Sequence, residues 1–437
     1  MTTYILTSHA RRKLRVMVAG VESFAGRLLW KFFNHRGFEV VPVRQRRSGM
    51  LESETIIDWD MIEEQGFPRC DFVVNCAHSD PFEELKNFTD FNKVKMEQGR
   101  LRAIKILANA IRTTDRKPMA FVNLGSAFFY PSSNRFEPYT EEFKLPETSD
   151  VNLSYFTRLE REMEKHTQVY DPDNDILPKH NPLHLDHEEF YRELEKSPAR
   201  SKALIQQSRD AENREHEVQM STSANIARGD ANESFGKIRT HSNAIAAGLH
   251  AEQPYNADEN QRFQHSAASL EINSNPITNA QVRVITARVG HILAPGSPLL
   301  METETLRKWG MLGPLGSGTQ FTPWIHELDF CELVLQALVD ENYTTGPLNI
   351  VSPEATTNSQ LMEALALASH SPLSSFNIGQ WLIVKKYGPV VAQMLLNSYK
   401  VAPARALANK FKFRFPHADA AAMDVFERIR KHNHKNW

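Results

Sequence analysis

The chain has 437 residues and a formal net charge of −2, with 51 Lys and Arg against 53 Asp and Glu. Its length predicts two or three segments, and the near balance of charge excludes a general nucleic-acid binder. Three scattered cysteines, Cys70, Cys76 and Cys331, favour a reducing compartment and argue against a zinc site. No apolar run in the sequence approaches the length of a membrane-spanning helix.

Residues 1–13 form a basic N-terminal extension with Arg11, Arg12 and Lys13 and no acidic residue. Such a segment is typical of a short mitochondrial targeting sequence, and equally of an unstructured basic tip before the first strand. We therefore expect a mitochondrial location, with the cytoplasm as the alternative.

A β-α-β unit is predicted directly after this extension. A short apolar run at 14–19 is followed by the turn G-V-E-S-F-A-G at 20–26, by an amphipathic pattern that ends at Gly37, and by a second apolar run at 38–43. This unit is the first half of a dinucleotide-binding fold.

The turn gives a physical reason to expect a phosphorylated ligand. Gly20 permits a tight exit from the strand, and Gly26 lets the helix pack close to the sheet. Between them, the backbone N–H groups at the helix start, from Ser23, Phe24 and Ala25, form an anion site that suits a pyrophosphate.

Neighbouring residues bear on which nucleotide binds. Ser23 replaces the middle glycine of the usual pattern and Glu22 adds negative charge, so a purely structural β-α turn is the alternative. After the second strand, where an acidic residue would bind the ribose of NAD, the chain has Arg44, Arg46 and Arg47. These arginines favour NADP(H) over NAD(H) as the cofactor.

Further strands are predicted at 55–58, 71–77 and 119–124, with helices near 61–65 and 91–112. Asp58, Asn75 and Ala77 are then expected at the carboxyl ends of their strands, the ligand side of such a sheet. The third of these strands delivers Ser126 and Tyr130 to the same edge.

Several phrases resemble the extended short-chain dehydrogenase/reductase superfamily, in its atypical nucleotide-sugar-epimerase-like branch. They are L-G-S-A-F-F-Y-P at 124–131, Y-T-E-E at 139–142, R-V-G-H-I-L-A-P-G at 288–296, G-P-L-G-S-G-T-Q at 313–320, W-I-H at 324–326 with Asp329, G-P-L-N-I at 346–350 and F-K-F-R-F-P at 411–416. The resemblance covers about 14–165 and 282–425. It implies a Rossmann-like doubly wound parallel sheet with a smaller C-terminal substrate-side lobe, and it places Arg288 on the strand beside the nicotinamide.

In that superfamily a Tyr-x-x-x-Lys pair handles the proton of a carbonyl or alcohol, and a serine on the preceding strand orients the oxygen. The resemblance implies that Ser126 is this serine and that Tyr155 is the tyrosine, with Tyr130 as a second candidate acid. Four residues after Tyr155 stands Leu159, which cannot stabilise a tyrosinate. The alternative is that all three are ordinary polar residues at the sheet edge.

Between 171 and 281 the resemblance stops, and the chain has few large apolar residues. We expect a polar insertion that is partly disordered or binds a partner. His180, His184 and His187 lack a cysteine or paired acidic cluster beside them, so no metal is predicted. The expected organisation is an extension (1–13), a Rossmann domain (14–170 and 282–350, with a substrate-side segment at 296–330), the insertion (171–281) and a C-terminal helical region (351–437).

In the C-terminal half, helices are predicted at 331–339, 359–369 and 381–399. His326 is expected to be structural, bonded near Asp329 at a helix start, and Trp309 and Trp324 are expected in the core or a pocket wall.

Two functional hypotheses remain open. In the first, the protein is an NADP(H)-dependent oxidoreductase or epimerase-like enzyme acting on an unknown small molecule. In the second, it is a catalytically inactive NAD(P)-binding scaffold, by analogy with the accessory NADPH-binding subunit of respiratory complex I, and its insertion and N-terminus bind a larger assembly. Neither involves a sequence-specific nucleic acid.

Overall fold

The computed structural model describes residues 13–44, 57–77, 90–132, 136–144, 155–168, 282–308, 310, 312–374 and 376–434. These belong to one compact unit, while a second unit, Asp175–Ala251, lies wholly outside the described residues. Also outside them are residues 1–12, Arg46, Arg47 and Trp309, and the insertion with its three histidines. The mitochondrial location and the partner-binding insertion therefore stay predictions.

Nine strands lie in the described residues. They are β1 Arg15–Ala19, β2 Glu39–Arg44, β3 Ile57–Asp58, β4 Phe72–Asn75, β5 Ala120–Ser126, β6 Arg283–Val289, β7 His291–Leu293, β8 Trp324–His326 and β9 Gly346–Ile350. Seven form one parallel sheet in the order β3-β2-β1-β4-β5-β6-β9, and β7 and β8 form a separate parallel pair. The predicted Rossmann-like doubly wound sheet is confirmed.

Eleven α-helices lie in the described residues. They are α1 Phe24–His35, α2 Trp59–Gln65, α3 Asp90–Thr113, α4 Tyr155–Gln168, α5 Pro298–Lys308, α6 Glu327–Val339, α7 Asn358–Ala368, α8 Gln380–Tyr387, α9 Pro389–Leu396, α10 Ala404–Ala408 and α11 Ala418–His434. A single 3-10 turn, Ala127–Phe129, follows β5.

Alternation along the buried strands explains the layers. Val16 and Val18 of β1 pack in the cluster that contains the apolar faces of α1 and α6, whereas Met17 and Ala19 pack in the cluster that contains those of α2 and α3. Successive side chains of a strand point to opposite faces, so one apolar run fills two cores.

The part of the chain after the insertion completes the sheet. β6 pairs with β5 over seven residues, from Ala120↔Arg283 to Ser126↔Val289, and β9 then pairs with β6. The carboxyl ends of β5, β6 and β9 consequently meet at one edge, beside α4.

One prediction about the C-terminal half needs correction. The helix expected at 381–399 is two helices, because Gly388 adopts a positive φ of 78° and Pro389 begins the second. His326 caps α6, accepting the Leu328 N–H, and lies close enough to Asp329 to act on its carboxylate, while its Nε2 lies 3.2 Å from Oδ2 of Asp424. The helix α5 was not predicted, whereas α11 lies within the helical region predicted at 351–437.

Candidate nucleotide-binding and active site

Strands β2 and β3 extend the sheet to one side of β1, and β4 and the later strands extend it to the other. The point between β1 and β4, where the strand order changes direction, is where sheets of this kind bind ligands. Gly20, directly after β1, has φ of 78°, and a Cβ there would lie 2.5 Å from the backbone of Ala77 after β4. The two strand ends approach so closely that only glycine fits. Gly20 and Ala77 thus lie together at the carboxyl ends of β1 and β4, where a sheet of this kind leaves a crevice for a ligand.

The start of α1 is fixed by Ser23. Its Oγ accepts the N–H of Gly26 at 3.0 Å and lies 2.9 Å from the Gly20 carbonyl oxygen, to which it donates. Ser23 is therefore the N-cap of α1, and its hydroxyl supplies an acceptor that a glycine at this position would lack. Helix geometry leaves the next N–H groups, of Phe24 and Ala25, without helix carbonyls.

Arg44 and Asp58 lie at neighbouring strand ends, paired in register across β2 and β3. The N–H of Gly20 donates to the Val43 carbonyl at 2.8 Å, so the end of β2 is held against the turn. The carboxylate of Asp58 accepts the Met61 N–H at 2.8 Å and so caps α2. Arg44 is half-buried.

Asn75 shapes the end of β4. Its Nδ2 donates to Oδ1 of Asn123 on β5 at 2.7 Å, and its own Oδ1 accepts the N–H of Ala77 at 3.2 Å. Both asparagine side chains are buried. Asn75 is thus close to the crevice, and its contacts serve to join β4 to β5.

Ser126 ends β5 and begins the 3-10 turn. Its Oγ accepts the N–H of Phe128 at 3.2 Å, and its own N–H donates to Oε2 of Glu160 at 2.9 Å. Tyr155 is the first residue of α4 and is half-buried, with its ring 5.4 Å from that of Phe156. Leu159, where the family pattern has a lysine, is buried among apolar side chains.

Tyr130 and Arg288 lie together in a buried network, and their contacts differ from the roles expected of them. Arg288 binds both oxygens of Glu164 at 2.6 and 2.8 Å and donates to Oη of Tyr130 at 2.7 Å. That Oη also lies 2.8 Å from Oδ1 of Asn349 and 3.0 Å from the Thr140 carbonyl. Three partners therefore surround the hydroxyl of Tyr130, which favours a structural role for this phenol and for Arg288 as its donor.

Protonation favours the same assignment. Burial raises the pKa of Tyr130 to about 12, although the Arg288 guanidinium opposes the rise. At neutral pH this phenol therefore stays protonated and serves as a hydrogen-bond partner of Arg288, Asn349 and Thr140. These contacts favour a structural role for both residues, while the expected roles of Tyr130 as an acid and of Arg288 as a cofactor contact stay predictions.

Sequence reasoning missed the buried acids behind the site. Glu160 and Glu164 are each less than 10% exposed, and Arg100, the partner of Glu160, is 1% exposed. In the sequence the two acids lie in a mixed-charge helical run, which is typical of a solvated face. The feature of the sequence that could have indicated a shared environment is their spacing of four residues, which places both acids on one face of the helix.

Within the described ranges, no group of three or more His, Cys, Asp and Glu side chains is arranged to hold a metal ion. None of the described helices is both long enough and apolar enough to cross a bilayer. The three cysteines are buried thiols without a disulfide.

Sequence comparison with known proteins agrees with this geometry. No model of a known protein family matches the chain. The human epimerase family protein SDR39U1 is 24% identical over 417 residues, an alignment that covers 94% of this chain and 99% of the relative. Over nearly its whole length, the chain is similar to epimerase-like proteins of the extended short-chain dehydrogenase/reductase superfamily.

Solved structures of epimerase-like proteins share the fold. The crystal structure of human SDR39U1 (isoform 2) with NADPH has a TM-score of 0.62 and 20% identity, covering 95% of this chain and 99% of that one. UDP-glucose 4-epimerase from Thermotoga maritima, solved with UDP-glucose, has a TM-score of 0.53 and 10% identity, covering 96% and 99%. At these identities the solved structures show that the chain has the same fold.

Proposed function

We propose that this epimerase-like protein binds NADP(H) at the carboxyl end of β1. The pyrophosphate lies at the start of α1, against the N–H groups of Phe24 and Ala25, and the guanidinium of Arg44 meets the 2′-phosphate. The observation that carries the proposal is the hydrogen bond from Gly20 to the Val43 carbonyl, because it holds the residue before Arg44 against the turn.

The donor set suits a phosphorylated nucleotide. The positive end of a helix and a guanidinium both attract phosphate. The nearest acid in the described part of β3, Asp58, already accepts an N–H of α2, which leaves Arg44 as the group that selects between NADPH and NADH. Human SDR39U1, which is similar over most of this chain, was crystallised with NADPH.

The test is a comparison of NADPH and NADH binding by native protein and Arg44→Ala. Loss of a charge-assisted phosphate contact of about 1.5–3 kcal/mol predicts NADPH affinity about 10- to 100-fold lower, with NADH affinity unchanged. Arg112→Ala, which removes an exposed arginine at the end of α3, is the control and should leave both affinities as they are. Full NADPH affinity in Arg44→Ala would contradict the proposal.

We further propose Ser126 and Tyr155 as the residues that would handle a substrate oxygen. Both lie near the carboxyl edge of the sheet, Ser126 at the end of β5 and Tyr155 at the start of α4. The buried Leu159 favours a second candidate function, a protein that holds NADP(H) without turnover.

Turnover distinguishes the two candidates. NADPH oxidation against a panel of carbonyl compounds that is lost in both Ser126→Ala and Tyr155→Phe supports an oxidoreductase. Nucleotide recovered from denatured native protein, with no turnover across the panel, supports the binding protein.

A further inference from the structure

The carboxylate of Glu160 contacts the backbone at the end of β5. Oε2 of Glu160 accepts the N–H of Ser126 at 2.9 Å. A Cβ built on Gly125 would lie 2.5 Å from the same oxygen, so the carboxylate occupies the space that a side chain at 125 would need. Gly125 and Ser126 therefore have their position set by Glu160.

The other oxygen of this carboxylate faces a buried cation. Oε1 of Glu160 lies 3.3 Å from Nη1 of Arg100 on α3, and the two side chains are 2% and 0% exposed. The other charged groups that act on Glu160 are Glu164, one turn further along α4, and Arg288 on β6, which bind each other. Glu97 on α3 interacts with Arg158 and Glu162 instead.

Two opposing influences act on the charge of Glu160. Burial favours the neutral acid, while Arg100 and the Ser126 N–H favour the carboxylate. Burial is the larger influence and raises the pKa of Glu160 to about 7.

We propose that Glu160 is a positioning residue for Ser126, and that gain or loss of one proton on its carboxylate changes the geometry of the end of β5. As a carboxylate, it holds the Ser126 N–H with one oxygen and the Arg100 guanidinium with the other. When it takes up a proton from solvent, the ion pair with Arg100 is lost and the remaining carbonyl oxygen is a weaker acceptor for the Ser126 N–H. Ser126 begins the 3-10 turn and its Oγ caps Phe128, so the change reaches that hydroxyl.

A role for this change in handling substrate rests on the function proposed for Ser126. The structural coupling between Glu160 and the Ser126 backbone does not, because both groups belong to the protein itself. It is therefore measurable without nucleotide or substrate.

The test is an amide titration by NMR on the full chain labelled with carbonyl-¹³C glycine and ¹⁵N serine. Only serines that follow glycine give a signal in this scheme, and these are Ser126, Ser297 and Ser317. Ser126→Ala identifies its peak by loss. In native protein we expect the Ser126 amide shift to titrate with a midpoint near pH 7, the pKa of Glu160, and the amides of Ser297 and Ser317 to lack this transition.

Variants assign the transition to one side chain. Glu160→Gln should abolish it, and Glu162→Gln, a matched change on the same helix at a position that pairs with Lys165, should retain it. A flat Ser126 amide in native protein overturns the proposal even if Glu160→Gln does not fold, and so does an unchanged transition in folded Glu160→Gln. Failure of NADPH binding would leave this titration intact, so the two proposals fail separately.

Discussion

At the scale of single residues, Glu160 combines a role at the site with an effect on stability. Burial raises its pKa to about 7 from an ordinary 4.5. The folded protein therefore binds this proton more tightly than the unfolded chain does. Below pH 4.5 Glu160 is protonated in both the folded and the unfolded protein, so folding buries no charge. As the pH rises towards 7, the unfolded chain loses this proton first, and the free energy of unfolding falls. Above pH 7 the folded protein has lost the proton as well, and the free energy of unfolding falls no further.

The stability of native protein should therefore depend on pH differently from that of Glu160→Gln. Between about pH 5.5 and pH 8, the free energy of unfolding of the native protein should fall by about 2 kcal/mol relative to that of the variant. Urea unfolding of both proteins at a series of pH values measures it. Parallel curves for the two would mean that the carboxylate is not titrating in this range, and Glu162→Gln should remain parallel to native protein.

At the scale of secondary-structure elements, α1 shows how one side chain serves both fold and site. Ser23 caps the helix through the Gly26 N–H, and the same first turn presents the N–H groups to which we assign the pyrophosphate. The serine that departs from the glycine pattern thus keeps the helix start in place without removing a backbone donor.

Two substitutions separate these contributions. Ser23→Ala should lower the free energy of unfolding by about 1 kcal/mol, because the cap is lost, whereas Ser23→Gly should lower it by only a few tenths. NADPH affinity of the Gly variant should stay close to native, since the backbone donors are unchanged. Thr357→Ala, which removes the capping box of α7, is the control with a similar loss of stability and no change in NADPH binding. Equal losses for the two Ser23 variants would argue against the cap.

At the scale of the whole molecule, a buried polar network joins segments from both sides of the insertion. Tyr130 after β5, Arg288 on β6 and Asn349 on β9 meet around one hydroxyl. The backbone N–H of Asn349 also donates to Glu141 at 3.0 Å, which holds the loop after Tyr130 to the same strand. This network fixes how the two halves of the chain close one sheet.

Tyr130→Phe should therefore destabilise the fold and spare nucleotide binding. Removing the hydroxyl leaves a buried donor on Arg288 and a buried acceptor on Asn349, a loss of about 1–3 kcal/mol. Tyr387→Phe, which removes a half-buried hydroxyl bound to Glu302, is the matched control and should cost less. Unfolding free energies and NADPH affinities of both variants measure this, and a loss of NADPH affinity in Tyr130→Phe with stability unchanged would return Tyr130 to the ligand site.

Local pattern was enough for the strand-turn-helix unit around Gly20 and for strands β1 to β5 of the parallel sheet, because period, glycine spacing and apolar runs are properties of neighbouring residues. The same information predicted Ser126 at a strand end. Tertiary structure alone decided the partners of Tyr130, Arg288 and Glu160, since each contacts residues far away in sequence: Tyr130 and Asn349, for example, are 219 positions apart. A buried acid and a solvated one look alike in a sequence, and only packing decides which of them loses its water and gains a guanidinium.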